Sequence, residues 1–409
     1  MKERSRLVLS AAVAMACAGD SSDRVTVRDS AGIEIVESAA GAWTTETAWR
    51  LADTPSVMIG SGSDSMAQFG RVRAVTRLPS GRIVVADGST DRLVYFDSSG
   101  RFERTVGRRG SGPGEFNFID WIAALPGDSL LALDANNYRF ALFDSAGNLA
   151  SSTPVPGARF QFPQPRAILG DGTLLSSRLA ATDGPPVLGP RTFTTVFVRV
   201  SRDLRILDTL GTGPGGQGYL VECGQPGESR GICNYDGLFE RTGSFAASRD
   251  RLFVGDGQRY EITVIDTMAR SFRSIRRTSG PRRVTAEDIA TQRDERLGRY
   301  LNAESRRAAE RVLAEIPVPE TMPAYSRLIA DGEGNLWVEE YRVTAAEPPR
   351  WTVFDTAGRM LGTLSVPAAL TIEEIHSDVI VGVARDSLDV ERIHIHRILK
   401  PDKAPTGVR

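Results

Sequence analysis

The chain has 409 residues, 41% of them apolar and 25% charged, so it can bury a core and is not disordered as a whole. Fifty basic against 51 acidic side chains leave a net charge of -1, which argues against nucleic acid held by phosphate neutralisation. Beyond the first residues no apolar run reaches the roughly 18 residues that a spanning helix needs.

Residues 1–17 read as an export signal, with Lys2, Arg4 and Arg6 ahead of the apolar stretch Leu7 to Ala16. The stretch ends in Ala14-Met15-Ala16-Cys17, small residues directly before a cysteine. This resembles the lipobox of bacterial lipoproteins, which implies acylation of Cys17 and a periplasmic, outer-membrane lipoprotein tethered by that lipid alone. Plain signal cleavage and an unprocessed anchor are the alternatives. Residues 18–30 are expected to be a linker.

From there a unit recurs: an alternating apolar strand ending in an acid, a polar gap, then a second strand ending in Asp and a turn with Gly. Gly81 to Asp87 with Leu93 to Gly100 is the clearest copy, followed by Asp128 to Asp134 with Phe140 to Gly147. Looser copies start at Gly172, Asp250, Gly334 and Asp378. The spacing is about 44 residues, stretched twice by about 35–40, which is the signature of a β-propeller blade. A single strand pair cannot bury both faces, so the units must stack around an axis. The expectation is an all-β, six-bladed β-propeller over 31–400 with an inserted helical segment, and a C-terminal tail at 401–409. Ile33 to Val36 is expected to pair with the last blade and close the ring.

The turns Asp97-Ser98-Ser99-Gly100, Asp144-Ser145-Ala146-Gly147 and Asp355-Thr356-Ala357-Gly358 place Asp first and Gly fourth, as type I turns favour. These aspartates are therefore structural and not paired catalytic carboxylates.

The segment Leu78 to Phe116, with Asp87, Tyr95-Phe96-Asp97 and the connector Gly110-Ser111-Gly112-Pro113-Gly114-Glu115-Phe116, resembles an NHL-type repeat. More broadly the chain is similar to bacterial six-bladed β-propeller lipoproteins. Gly211 to Gly216 is a second trace of that connector without its acid and aromatic.

The first insertion, 213–242, is Gly-rich and holds Cys223 and Cys233; it is expected to be a loop closed by a disulfide, the competing reading being half of a metal site. The second, 281–323, offers a capping-box-like Thr285-Ala286-Glu287-Asp288. Ile289, Leu297, Leu301, Ala308, Val312 and Ile316 follow near helical spacing, and Pro317 and Pro319 end it. One or two amphipathic helices on the propeller are expected. Their other face mixes arginines such as Arg293, Arg296 and Arg299 with acids, a self-pairing solvated surface or a docking one.

All three histidines, His376, His394 and His396, lie in the sixth copy. His394 and His396 share one strand face, either as a partial metal site or as the polar face of a terminal strand. No nucleophile elbow or phosphate loop is present. With the innermost strand placed before each repeat start, the channel is approached by Arg71, Arg73, Asp120, Arg166, Tyr325, Arg327, Glu373 and Glu374. Such a set either attracts a ligand or plugs the axis with ion pairs. The resulting expectation is a non-enzymatic, envelope-tethered propeller that binds a partner protein or small ligand, with no cofactor. The alternative resembles the senescence-marker-type lactonases: a metal-dependent hydrolase or lyase holding a divalent cation with acids such as Asp120, Glu373 and Glu374 beside Asn117.

Overall fold

Six sheets follow one another along the chain, each begun by an inner strand: Val72–Arg77, Ile119–Ala124, Gln164–Ile168, Ser244–Ser248, Tyr325–Ala330 and Leu370–Ile375. The computed structural model describes residues 24–60, 68–157, 162–181, 186–223, 231–268, 271–386 and 388–401; residues 1–17, read as an export signal ending at Cys17, and the expected tail after 401 lie outside the described residues. Each sheet is a blade whose strands run outward from the axis in chain order, and the inner strands of neighbouring blades touch around the ring. The chain is a six-bladed β-propeller.

The sequence explains the stacking. In blade 1 the second strand, Ile83–Asp87, is buried along its whole length, because each of its faces meets an adjacent blade. Its outermost strand, Phe102–Val106, is half-exposed or exposed. Apolar clusters fill each of the six gaps. The one between blades 6 and 1 unites Ile59, Val75, Ile83, Val381 and Ile393, and the one between blades 5 and 6 is built on Trp337, Trp351, Ile372 and Ile380.

Ring closure departs from the sequence expectation. Ile33–Ser38 does not join blade 6; it lies parallel to Phe272–Arg277 on the outer edge of blade 4, and Val25–Ser30, expected as linker, pairs with it as a further strand. The ring is shut by Arg50–Leu51 and Val57–Ile59, which pair with Glu391–Leu399 of blade 6. His396 belongs to this closure, its Nδ1 donating to the Ala52 carbonyl at 3.0 Å.

The tight turns behave as read. Asp97 accepts from the amides of Ser99 and Arg101, Asp144 from Ala146 and Asn148, and Asp355 from Ala357 and Arg359. The Gly110–Phe116 connector is equally structural. Glu115 accepts from the Gly112 amide, and Phe116 is buried over Gly107, where a Cβ would stand 2.7 Å from its ring.

In the first insertion, 213–223 and 231–235 are strand where a loop is expected, while 236–242 is irregular. Gly189–Val200 and Ile206–Cys223 form a long hairpin that extends blade 3, and Gly231–Tyr235 adds a strand to it. The Gly211 to Gly216 stretch is therefore part of a strand and not a blade connector. Cys223 and Cys233 are disulfide-bonded, with Cα atoms 5.7 Å apart.

The second insertion forms two helices, α1 (Ala286–Gly298) and α2 (Ala303–Glu315), between blades 4 and 5. Thr285 and Asp288 make the reciprocal capping box. Leu297, Ala309, Leu313 and Met322 pack with Leu238, Phe239 and Val343, joining the helices to blade 5 and to the segment after the hairpin. Leu301 differs from expectation: it sits between the helices, fully exposed.

Candidate functional site at the channel mouth

A propeller blade has two ends. One carries the turns between first and second strands and between third and fourth, such as 78–82 and 97–101; the other carries the remaining connections. The hairpin extension and both helices fall on this second end, which is the elaborated face.

The inner strands share a feature that alternation does not reveal. The pairing with the second strand skips one residue in five blades: Arg73, Asp120, Arg166, Ser326 and Glu373. Each is the extra residue of a β-bulge, left out of the ladder and re-aimed. Four of the five are charged. Bulges are common beside sites, where they redirect a side chain.

The bulged arginines stack on aromatics of another blade. Arg73 lies 3.9 Å from the Phe118 ring centroid and Arg166 lies 5.2 Å from that of Phe245, both within cation–π range. Arg166 Nε also donates to Ser177 Oγ at 2.9 Å, and Asp120 is the acidic charge that acts on it. Asp120, Arg166, Trp121, Tyr138 and Phe245 line a cavity of about 1050 Å³ that opens on the elaborated face between blades 2, 3 and 4.

The eight residues predicted at the channel divide. Asp120 and Arg166 meet in this cavity, and Arg71 and Arg73 stand at the same end of blade 1. Glu373 is at the bulge of blade 6, where burial raises its carboxyl pKa against the pull of Arg327 and with the push of Glu374 and Glu391. Arg327 donates to the Ile372 carbonyl, tying blade 5 to blade 6. Two placements are corrected. Tyr325 is buried between blades 4 and 5, its hydroxyl donating to the Glu261 carbonyl at 3.0 Å, because the bulge beside it turns Ser326 out of the ladder instead. Glu374 sits at the opposite end of the channel, accepting from the Arg77 amide and facing His376 at 3.0 Å.

His394 and His396 stand side by side with centroids 5.8 Å apart, and burial lowers the pKa of His394. Among the described residues no group of three or more His, Cys, Asp or Glu is placed to hold a metal ion. Sequence reasoning missed Trp121, Tyr138 and Phe245 as cavity walls. The apolar residues flanking Asp120 were the available signal.

Residues 64–156, which cover blades 1 and 2, match the model of a family described as a 6-bladed beta-propeller. No curated protein matches the chain. Similar solved structures include a protein of Bacteroides fragilis described as exported, at 13% identity and a TM-score of 0.49, covering 90% of this chain and 100% of that one. Virginiamycin B lyase from Staphylococcus aureus is similar at 9% identity and a TM-score of 0.41, covering 86% and 99%. A calcium-binding protein, regucalcin, from Agrobacterium tumefaciens is similar at 12% and 0.34, covering 85% and 97%. The six-bladed architecture rests on this chain's own strand pairing and on the family match.

Proposed function

We propose that this chain is a binding propeller of the bacterial cell envelope that takes a small aromatic zwitterion at its channel mouth. The observation that carries the reading is the cavity of about 1050 Å³ walled by Trp121, Tyr138 and Phe245 around the opposed charges Asp120 and Arg166. Apolar walls with a few convergent polar groups are what a small-molecule site offers. Asp120 would take an ammonium, Arg166 a carboxylate, and the rings the aromatic body. The basic-then-apolar start ending in Cys17, together with the Cys223–Cys233 disulfide, supports an oxidising envelope location with a lipid anchor.

Trp121 supplies a reporter. Titration with the dipeptide Phe-Phe is expected to change its fluorescence to saturation, and Asp120→Asn or Arg166→Gln to weaken binding about tenfold, the effect of losing one charge-assisted hydrogen bond. A folded protein whose fluorescence stays flat into the millimolar range, or variants that bind as well as wild type, would overturn the reading. The hydrolase alternative is addressed by melting after chelation. Recovery of stability with calcium, zinc or magnesium alone would place it first, because an ion that binds only the folded state raises its stability.

A further inference from the structure

A second cavity of about 730 Å³ lies on the elaborated face between blades 4 and 5, away from the channel mouth and sharing none of its residues. Its walls are the ends of the blade 4 strands, the segment 278–282 leaving for the helices, the segment 321–324 returning from them, and the 340–350 connection of blade 5. Seven arginines and four glutamates line it.

Two of the four lining carboxylates, Glu340 and Glu261, are committed to arginines, and Glu37 accepts from Thr278 Oγ1 at 3.4 Å. Glu340 is engaged by Arg277 and accepts from Thr352 Oγ1 at 2.6 Å; Glu261 takes Arg276 at 2.7 Å and Ser274 at 2.8 Å. Arg342 reaches Glu339 at 3.1 Å and the Glu347 carbonyl at 2.8 Å. Three cations are left. Among the described residues Arg241 Nε is buried with no hydrogen-bond partner, and the side chain's one hydrogen bond is from Nη2 to Thr321 Oγ1 at 3.5 Å. Arg259 and Arg350 are exposed and make no side-chain hydrogen bond or ion pair among the described residues. A buried guanidinium N–H left without an acceptor is disfavoured, so a bound acceptor is its natural complement.

We infer that this cleft is a binding site for a phosphate-bearing polyanion, held by Arg241 at its floor and by Arg259 and Arg350 at its rim. The guanidinium fork matches phosphate oxygens in pairs, and Arg277 with Tyr260 backs the floor at 5.1 Å. The volume suits a ligand the size of a sugar phosphate and exceeds what a lone phosphate needs.

Calorimetry with pyrophosphate at fixed ionic strength tests it, with sodium chloride as the matched control. Saturable binding is expected for wild type, weakened at least tenfold in Arg259→Gln/Arg350→Gln, whose side chains make no hydrogen bond among the described residues, and again in Arg241→Gln. Sedimentation with phosphatidylglycerol vesicles distinguishes the source. Co-sedimentation lost in the same variants assigns the phosphate to a lipid headgroup, whereas pyrophosphate binding without it assigns a soluble ligand. Absence of binding in both arms, or binding indifferent to all three arginines, overturns the inference.

Discussion

Raising the pH from 5 to 8 is expected to weaken the docking of the helical insertion through a single carboxyl, Glu240. It lies in the segment between the hairpin and blade 4, its Oε2 accepting from the Gly237 amide at 3.0 Å. Burial, and next the charge of Asp236, push its pKa up from 4.5 to about 7, while the Gly237 bond and Arg296 pull the other way. The same segment is held by α1: Arg296 donates to the carbonyls of Asp236 and Gly237, and Gln292 accepts from the Phe239 amide at 3.2 Å. A carboxyl whose folded pKa lies above its unfolded value keeps more protons in the folded state. Its contribution is complete below the unfolded pKa near 4.5 and is lost as pH rises through about 7. The displacement corresponds to roughly 3 kcal/mol, and half-burial with solvent screening reduces it to about 1–2 kcal/mol. Urea unfolding of wild type and Glu240→Gln at several pH values reads this directly. The variant, neutral throughout, should gain about 1–2 kcal/mol on wild type between pH 5 and 8. A difference between the two proteins that does not change over that range would refute the argument.

Two further substitutions test the scaffold. Ile59, buried in the gap between blades 6 and 1, closes the ring, so Ile59→Ala should cost about 2–4 kcal/mol in a urea titration; a loss under about 1 kcal/mol would mean that Val57–Ile59 is not the closing strand. Asp134, fully buried, accepts from the amides of Asn117, Phe118 and Asn137 and from the Asn137 side chain at 2.7–3.2 Å. Asp134→Ala should cost about 3 kcal/mol by orphaning those amides, and Asp97→Ala, in an exposed turn, markedly less. Equal midpoints for the two variants would contradict the distinction between the repeated aspartates.

The blades were legible because their signals are local. The Asp-to-Gly turns, the buried second strands and the Thr285–Asp288 capping box each lie within a few residues of one another. The closing strand was not, because two- and three-residue strands are too short to show a period, whereas the Ile33 alternation fits any half-buried edge. Glycines misled in the first insertion, being depleted in strands in general. Here they permit close approach: a Cβ on Gly215 would stand 2.9 Å from Thr195 Oγ1, and one on Gly218 would meet the Asn234 side chain. The bulges left no trace, since one extra residue only shifts the phase of an alternation. The cleft arginines run from Arg241 to Arg350 and converge only when blades 4 and 5 pack.

The division of labour between the two ends follows from the turns. On one end the connections at 97–101, 144–148 and 355–359 are each closed by an aspartate that accepts from two amides of its own turn. On the other end the connections vary from a few residues to the whole 278–324 segment. Some of them are closed from another element, as when Arg296 of α1 caps the segment before blade 4. That leaves charges unmatched by local partners: Asp120 with Arg166 at the axis, and Arg241 between blades 4 and 5. Blade 4 sharpens the asymmetry. Its inner strand carries no bulge and presents Phe245 to Arg166, so the cavity at the axis opens toward blades 2 to 4 and not symmetrically around the ring.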